Sequence, residues 1–79
     1  MSVEDQVEAE LARAFAGAAV KVGGDGYRWE LEVVSPVFEG MSKVKRQQLV
    51  YGAIGSLIKS GAVHAVTIVA LTPSESADG

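Results

Sequence analysis

The chain has 79 residues, 48% of them hydrophobic, a formal net charge of −3 and no cysteine. That length suits one domain burying about 60% of its unfolded surface, and leaves no room for a deep enclosed active site. The hydrophobic content excludes intrinsic disorder, the absence of cysteine excludes disulfides and thiolate metal sites, and the acidic balance opposes nucleic acid or anionic lipid as a general partner.

The first segment, "MSVEDQVEAELARAF", begins with acids rather than a basic start and an apolar core, so it does not read as a secretory signal. It reads as a helix. Ser2 followed by Asp5 resembles an N-cap, and Val3, Val7, Leu11, Ala14 and Phe15 recur at helical spacing to give one apolar face. Gly17 is the expected stop. Its acids are expected to form a solvated face.

"AAVKV" (18–22) reads as a short strand with Val20 and Val22 inward and Lys21 outward. "GGDG" (23–26) is turn chemistry, and "YRWELEVVS" (27–35) alternates Trp29, Leu31 and Val33 against Arg28, Glu30 and Glu32. The pair predicts a hairpin with one wet face. No G-x-x-x-x-G-K-[ST] pattern and no following helix support a phosphate loop.

Ser35-Pro36 ends that strand, and Phe38 in the connector is expected to plug the edge of the core. Ser42 caps a long helical segment, "SKVKRQQLVYGAIGSLIKSG", whose apolar face is Val50, Ile54, Leu57 and Ile58 and whose terminator is Gly61. Gly52 and Gly55 each weaken a continuous helix by about 1 kcal/mol, so a kink or a split is expected near position 52. The last strand is predicted over Val63–Leu71, apolar on both faces and hence central or covered. It is also the longest apolar stretch, and far too short to span a bilayer. The expected protein is soluble and cytoplasmic.

The fold class is therefore α+β, in the order α-β-β-α-(α)-β. It implies a three-stranded mixed sheet with helices on one face, the order of a type II KH fold. Residues 1–73 form the single domain and 74–79 a frayed, flexible tail.

Few residues carry chemistry. Glu30 and Glu32 share a strand face and read as solubilising residues, and no serine or cysteine has a motif-placed base, so an enzyme is not expected. Lys43, Lys45 and Arg46 open the long helix beside Gln47 and Gln48. They read as an ordinary polar face or a docking surface for protein, with nucleic acid as the rival. "GAIG" (52–55) has the G-x-x-G spacing of KH loops, but alanine and isoleucine bring no charge to a phosphate, so helix packing is the reading. His64 is the only histidine. A lone histidine on an apolar element is by default a satisfied core residue. A place at the very start of a strand weakens that default and suits a ligand offered to something outside the domain.

"VVSPVFEGMSKVKRQQLVYGAIGSLIKSGAVHAVTIVALTP" (33–73) resembles the BolA family, especially its branch with "KRQQ-VY" in the long helix. Ser35, Phe38-Glu39-Gly40, Arg46, Val50, His64-Ala65 and Thr72-Pro73 fall in the family pattern, and "GDGYRWE" (24–30) fits the loop before its second strand. The match runs from Val20 to Pro73. The resemblance implies the same α-β-β-α-β fold and pairing with a monothiol glutaredoxin in a heterodimer that shares a 2Fe–2S cluster. In that picture the glutaredoxin cysteine and glutathione supply sulfur, and His64 supplies nitrogen, altering the cluster's potential as in Rieske centres. The family's second ligand, a histidine or cysteine at the start of strand two, corresponds here to Arg28, whose guanidinium has no lone pair for a metal. The expectation is a non-enzymatic partner in iron–sulfur handling or iron regulation, monomeric alone, with no cofactor of its own and no membrane attachment. Its docking surface is the face around Lys43, Lys45 and Arg46 with the lip of the last strand. The alternative is a KH-like DNA-binding regulator, with nucleic acid a weak partner.

Overall fold

A computed structural model describes residues 2–78. Helix α1 (Val3–Ala14) begins where Ser2 and Asp5 cap each other: the Asp5 N–H donates to Ser2 Oγ and the Ser2 N–H to Asp5 Oδ2. Val7 and Leu11 are fully buried along one stripe, and Phe15 follows at the C-cap. Ala14 is exposed, because the stripe drifts past it as the helix ends. Gly17 (φ +81°) then turns the chain into the sheet.

Strands β1 (Ala19–Gly24) and β2 (Arg28–Val34) form the hairpin, paired antiparallel from Ala19–Val34 to Gly24–Trp29. Trp29, Leu31 and Val33 are buried, as the alternation requires. The opposite face is wet and carries the Lys21–Glu32 pair at 3.9 Å, too exposed to add measurable stability.

After β2 a single 3₁₀ turn (Pro36–Phe38) drops Phe38 into the core, fully buried, its ring 5.5 Å from that of Phe15. Tilted aromatic pairs at this separation add about 0.5–1.5 kcal/mol beyond area burial. Ser42 caps α2 (Lys43–Ala53) through the Lys45 N–H. The expected break falls at Ile54, which is fully buried, and a short α3 (Gly55–Lys59) follows.

Strand β3 (Ala65–Leu71) runs parallel to β2, with Arg28 opposite Ala65 and Val34 opposite Leu71. The sheet order is β1-β2-β3, so β2 is central and β3 is an edge, contrary to the expectation of a central or covered last strand. Its inward row, Val66, Ile68 and Ala70, is only partly buried beside the core, while Thr67 and Val69 are exposed on the other face. The strand also starts two residues later than expected. The Val63 N–H still bonds the carbonyl of Leu57, so the chain at 63–64 belongs to the exit of α3 rather than to the ladder.

The frayed tail is not observed over its described part. Pro73–Asp78 form α4, entered through a reciprocal cap in which the Thr72 N–H donates to Glu75 Oε1 (2.9 Å) and the Glu75 N–H to Thr72 Oγ1 (3.2 Å). Gly79 lies outside the described residues. Among the described residues no helix is long and apolar enough to cross a membrane.

Candidate functional site

The exit of α3 positions His64. Gly61 (φ +84°) ends the helix, its N–H bonding Ile58 O, and Val63, 1% exposed, pins the chain to the core. His64 follows that anchor and is itself exposed. The core-histidine reading therefore falls to Val63, one residue earlier. The imidazole leans back over Gly61: a Cβ built there would lie 3.8 Å from its Cε1. An exposed ring beside a buried anchor is held at the rim with its nitrogens available to a second molecule.

The hairpin brings Arg28 to the same end of the sheet. Arg28 opens β2 opposite Ala65, the residue after His64. The preceding loop is built by Asp25, whose Oδ1 accepts the N–H groups of Arg28 (2.8 Å) and Tyr27 (2.9 Å). Those bonds hold the Asp25 carboxyl below the usual carboxylate range. The loop is thus fixed by the Asp25 carboxylate, and the Arg28 side chain is exposed and uncommitted to it.

This end of the sheet offers one metal-competent nitrogen, from His64, while the Arg28 guanidinium can donate hydrogen bonds only. Among the described residues no three histidine, cysteine, aspartate or glutamate side chains gather where a metal could sit.

The basic cluster does not survive as a unit. Lys43 and Lys45 are exposed, but Arg46 is 8% exposed and turned inward. Its Nε donates to Met41 O (3.1 Å) and its Nη1 to Ala70 O (3.2 Å) and Glu75 Oε1 (2.6 Å). Three acceptors from three segments meet one planar fork, so Arg46 is a structural clasp and leaves the expected surface. "GAIG" lies at the α2–α3 junction with Ile54 fully buried, which agrees with helix packing.

Sequence reasoning missed Glu75, the acid that engages Arg46. The signal was present in Thr72-x-x-Glu75, a capping pattern that follows the last strand directly.

Residues 6–75 match the family model described as BolA-like protein. The acid stress protein IbaG of Escherichia coli K12 is 40% identical over 71 residues, which cover 90% of this chain and 84% of that one. Among solved structures, BolA1 from Arabidopsis thaliana superposes with a TM-score of 0.85 at 28% identity, covering 95% of this chain and 96% of its own. The BolA domain of SufE1 from the same plant gives a TM-score of 0.85 at 30% identity, with the same coverage. The match of family model, sequence and fold over nearly the whole chain has one meaning: the chain belongs to the BolA family.

Proposed function

We propose that this protein is a non-enzymatic, cytoplasmic partner of a monothiol glutaredoxin in 2Fe–2S cluster handling, and that His64 is its ligand to the shared cluster. The observation that carries the reading is the exposed imidazole of His64, held at the sheet rim directly after the buried Val63, in a chain without cysteine. Such a chain contributes a nitrogen and leaves sulfur to its partner. When bound, the cluster would supply electron-transfer or transfer-of-cargo chemistry with a potential raised by nitrogen ligation. The chain's own residues do the rest: Gly61 and Val63 orient His64, and the Asp25 loop presents Arg28 beside it as a hydrogen-bond donor to the partner. Membership of the BolA family supports the reading, because the partnership and the role of His64 are what the family resemblance implies. Nucleic-acid regulation is less well supported, since the inward turn of Arg46 leaves two lysines, Lys43 and Lys45, on the basic surface.

The test is anaerobic mixing with a monothiol glutaredoxin, iron, sulfide and glutathione, read by visible circular dichroism and gel filtration. Wild type is expected to give a heterodimer with a cluster spectrum. His64→Ala is expected to keep the fold and the apo heterodimer while losing that spectrum. No heterodimer with wild type, or an unchanged spectrum in the variant, would overturn the reading.

A further inference from the structure

The edge of β3 is a hydrogen-bonding surface that no further strand covers among the described residues. The Ser35 N–H bonds Leu71 O on the β2 side of the strand. In a parallel ladder each residue turns its N–H and C=O the same way and the next residue turns them oppositely. Residues 65, 67, 69 and 71 therefore serve β2, while Val66, Ile68 and Ala70 present their backbone groups outward. Arg46 takes one of these, the Ala70 carbonyl, and so closes the C-terminal end of the edge. Among the described residues the N–H and C=O of Val66 and Ile68 have no partner. No residue of β3 is charged or proline, so the edge carries none of the usual blocks to strand addition.

A groove runs beside this edge. It has a volume of about 460 Å³ and lies between Val66 and Ile68 on the strand and Gln47, Gln48, Tyr51 and Gly52 on α2. A second hollow shares Gln47 and Ile68 with it and carries the groove on to Lys43. Gly52 keeps the wall low: its φ is not positive and a Cβ there would meet nothing within 4 Å, so the fold itself does not require glycine. The charge along the groove is one-sided. Arg46 is matched by Glu75, whereas Lys43 takes part in none of the ion pairs among the described residues.

We infer that this edge and groove dock an extended peptide segment of a partner protein, apolar at alternate positions and acidic at the end beside Lys43. Main-chain bonds to Val66 and Ile68 supply generic affinity, alternate side chains fill the groove, and the acid sets the register. A second copy of this chain fits less well, because its β3 would bring no acid to Lys43. A nucleic-acid strand fits less well because one lysine offers too little phosphate contact. The inference goes beyond the glutaredoxin reading and does not depend on it.

The test is a titration of the isotope-labelled full chain with two acetylated, amidated hexapeptides, ETVTVT and KTVTVT, followed by amide NMR. The ETVTVT peptide is expected to shift the Val66 and Ile68 amides and to bind about two- to fivefold tighter than KTVTVT, the range of an exposed charge pair. Lys43→Gln is expected to erase that preference. Gly52→Leu is expected to fill the groove and abolish binding of both peptides without lowering Tm, since leucine favours a helix over glycine. Four results would each overturn the inference: no shift at Val66 and Ile68; equal affinity for the two peptides; shifts that track protein concentration without peptide, which would assign the edge to a second copy; or larger shifts with an oligothymidylate.

Discussion

Arg46 Nη1 stands 2.6 Å from Glu75 Oε1, joining the first turn of α2 to a C-terminal helix 29 residues further along the chain. The same nitrogen also reaches Ala70 O, and Nε reaches Met41 O, so one guanidinium ties α2, β3, α4 and the loop before α2. Arg46→Ala removes all three bonds of the inward-turned guanidinium at once and is expected to cost about 2–3 kcal/mol, measured by urea unfolding. Arg46→Lys is expected to recover only part, because an ammonium lacks the fork that meets three acceptors from fixed directions. Full recovery by lysine would mean that charge alone matters at this position.

Glu75 makes the clasp pH-dependent. The Arg46 hydrogen bond first, then the Thr72 N–H, lower its carboxyl from 4.5 to about 2. A depressed carboxylate stabilises the fold above its unfolded value, and that stability fades as pH falls from about 4.5 towards 2. Glu75→Gln should therefore lower Tm at neutral pH, and the gap to wild type should close over that acid window. The side chain is 46% exposed, so salt is expected to reduce the gap. A gap that stays constant with pH would separate Glu75 from the clasp.

The hairpin, the caps at Ser2 and Ser42 and the buried Trp29, Leu31 and Val33 were legible because each rests on local periodicity or a local cap. The position of β3 was not legible. Apolar residues on both faces of a strand signal burial, yet in this sheet the inward row of β3 meets α2 only in part and no further strand pairs with its far edge among the described residues. Arg46 was misread for the opposite reason. In sequence it belongs with Lys43 and Lys45, and only the crossover brings Ala70 and Glu75 to it from 24 and 29 residues away. For His64 the sequence offers both a core and a rim reading, and the exposed position follows from the anchor at Val63 and the lean over Gly61, which depend on how α3 ends.

Gly24 holds the turn that carries Arg28. Its φ is +143°, a conformation side chains rarely adopt, and a Cβ there would collide with the carbonyl of Arg28 and come 3.0 Å from Trp29 Cα. Gly24→Ala is expected to destabilise by about 2 kcal/mol or more, since both the backbone and the contact resist it. Gly23→Ala, where a Cβ meets nothing and φ is not positive, is the control and should be near neutral. Thermal unfolding of the two variants decides between a strained turn and a tolerant one.

Arg28 tests how the site is shared. Its backbone is fixed by Asp25 Oδ1 at 2.8 Å and by the register with Ala65, neither of which uses the side chain. Arg28→His should therefore fold as wild type does, within about 0.5 kcal/mol, as exposed substitutions generally do. The change places a second imidazole at the end of the sheet that already holds His64. Under the proposed function, an iron that receives one nitrogen from this chain exchanges readily, and a second donor should lengthen the life of the cluster signal in the glutaredoxin complex. The opposing outcome follows from the planar donor fork of arginine, which suits a carboxylate of the partner or of glutathione. If Arg28 serves that purpose, calorimetry of the apo pair should show weaker binding for Arg28→His, and cluster lifetime should not improve. The two measurements separate the roles because heterodimer affinity is read without iron and lifetime only with it. A longer lifetime at unchanged affinity assigns position 28 to the metal side of the interface, and weaker affinity with unchanged lifetime assigns it to docking.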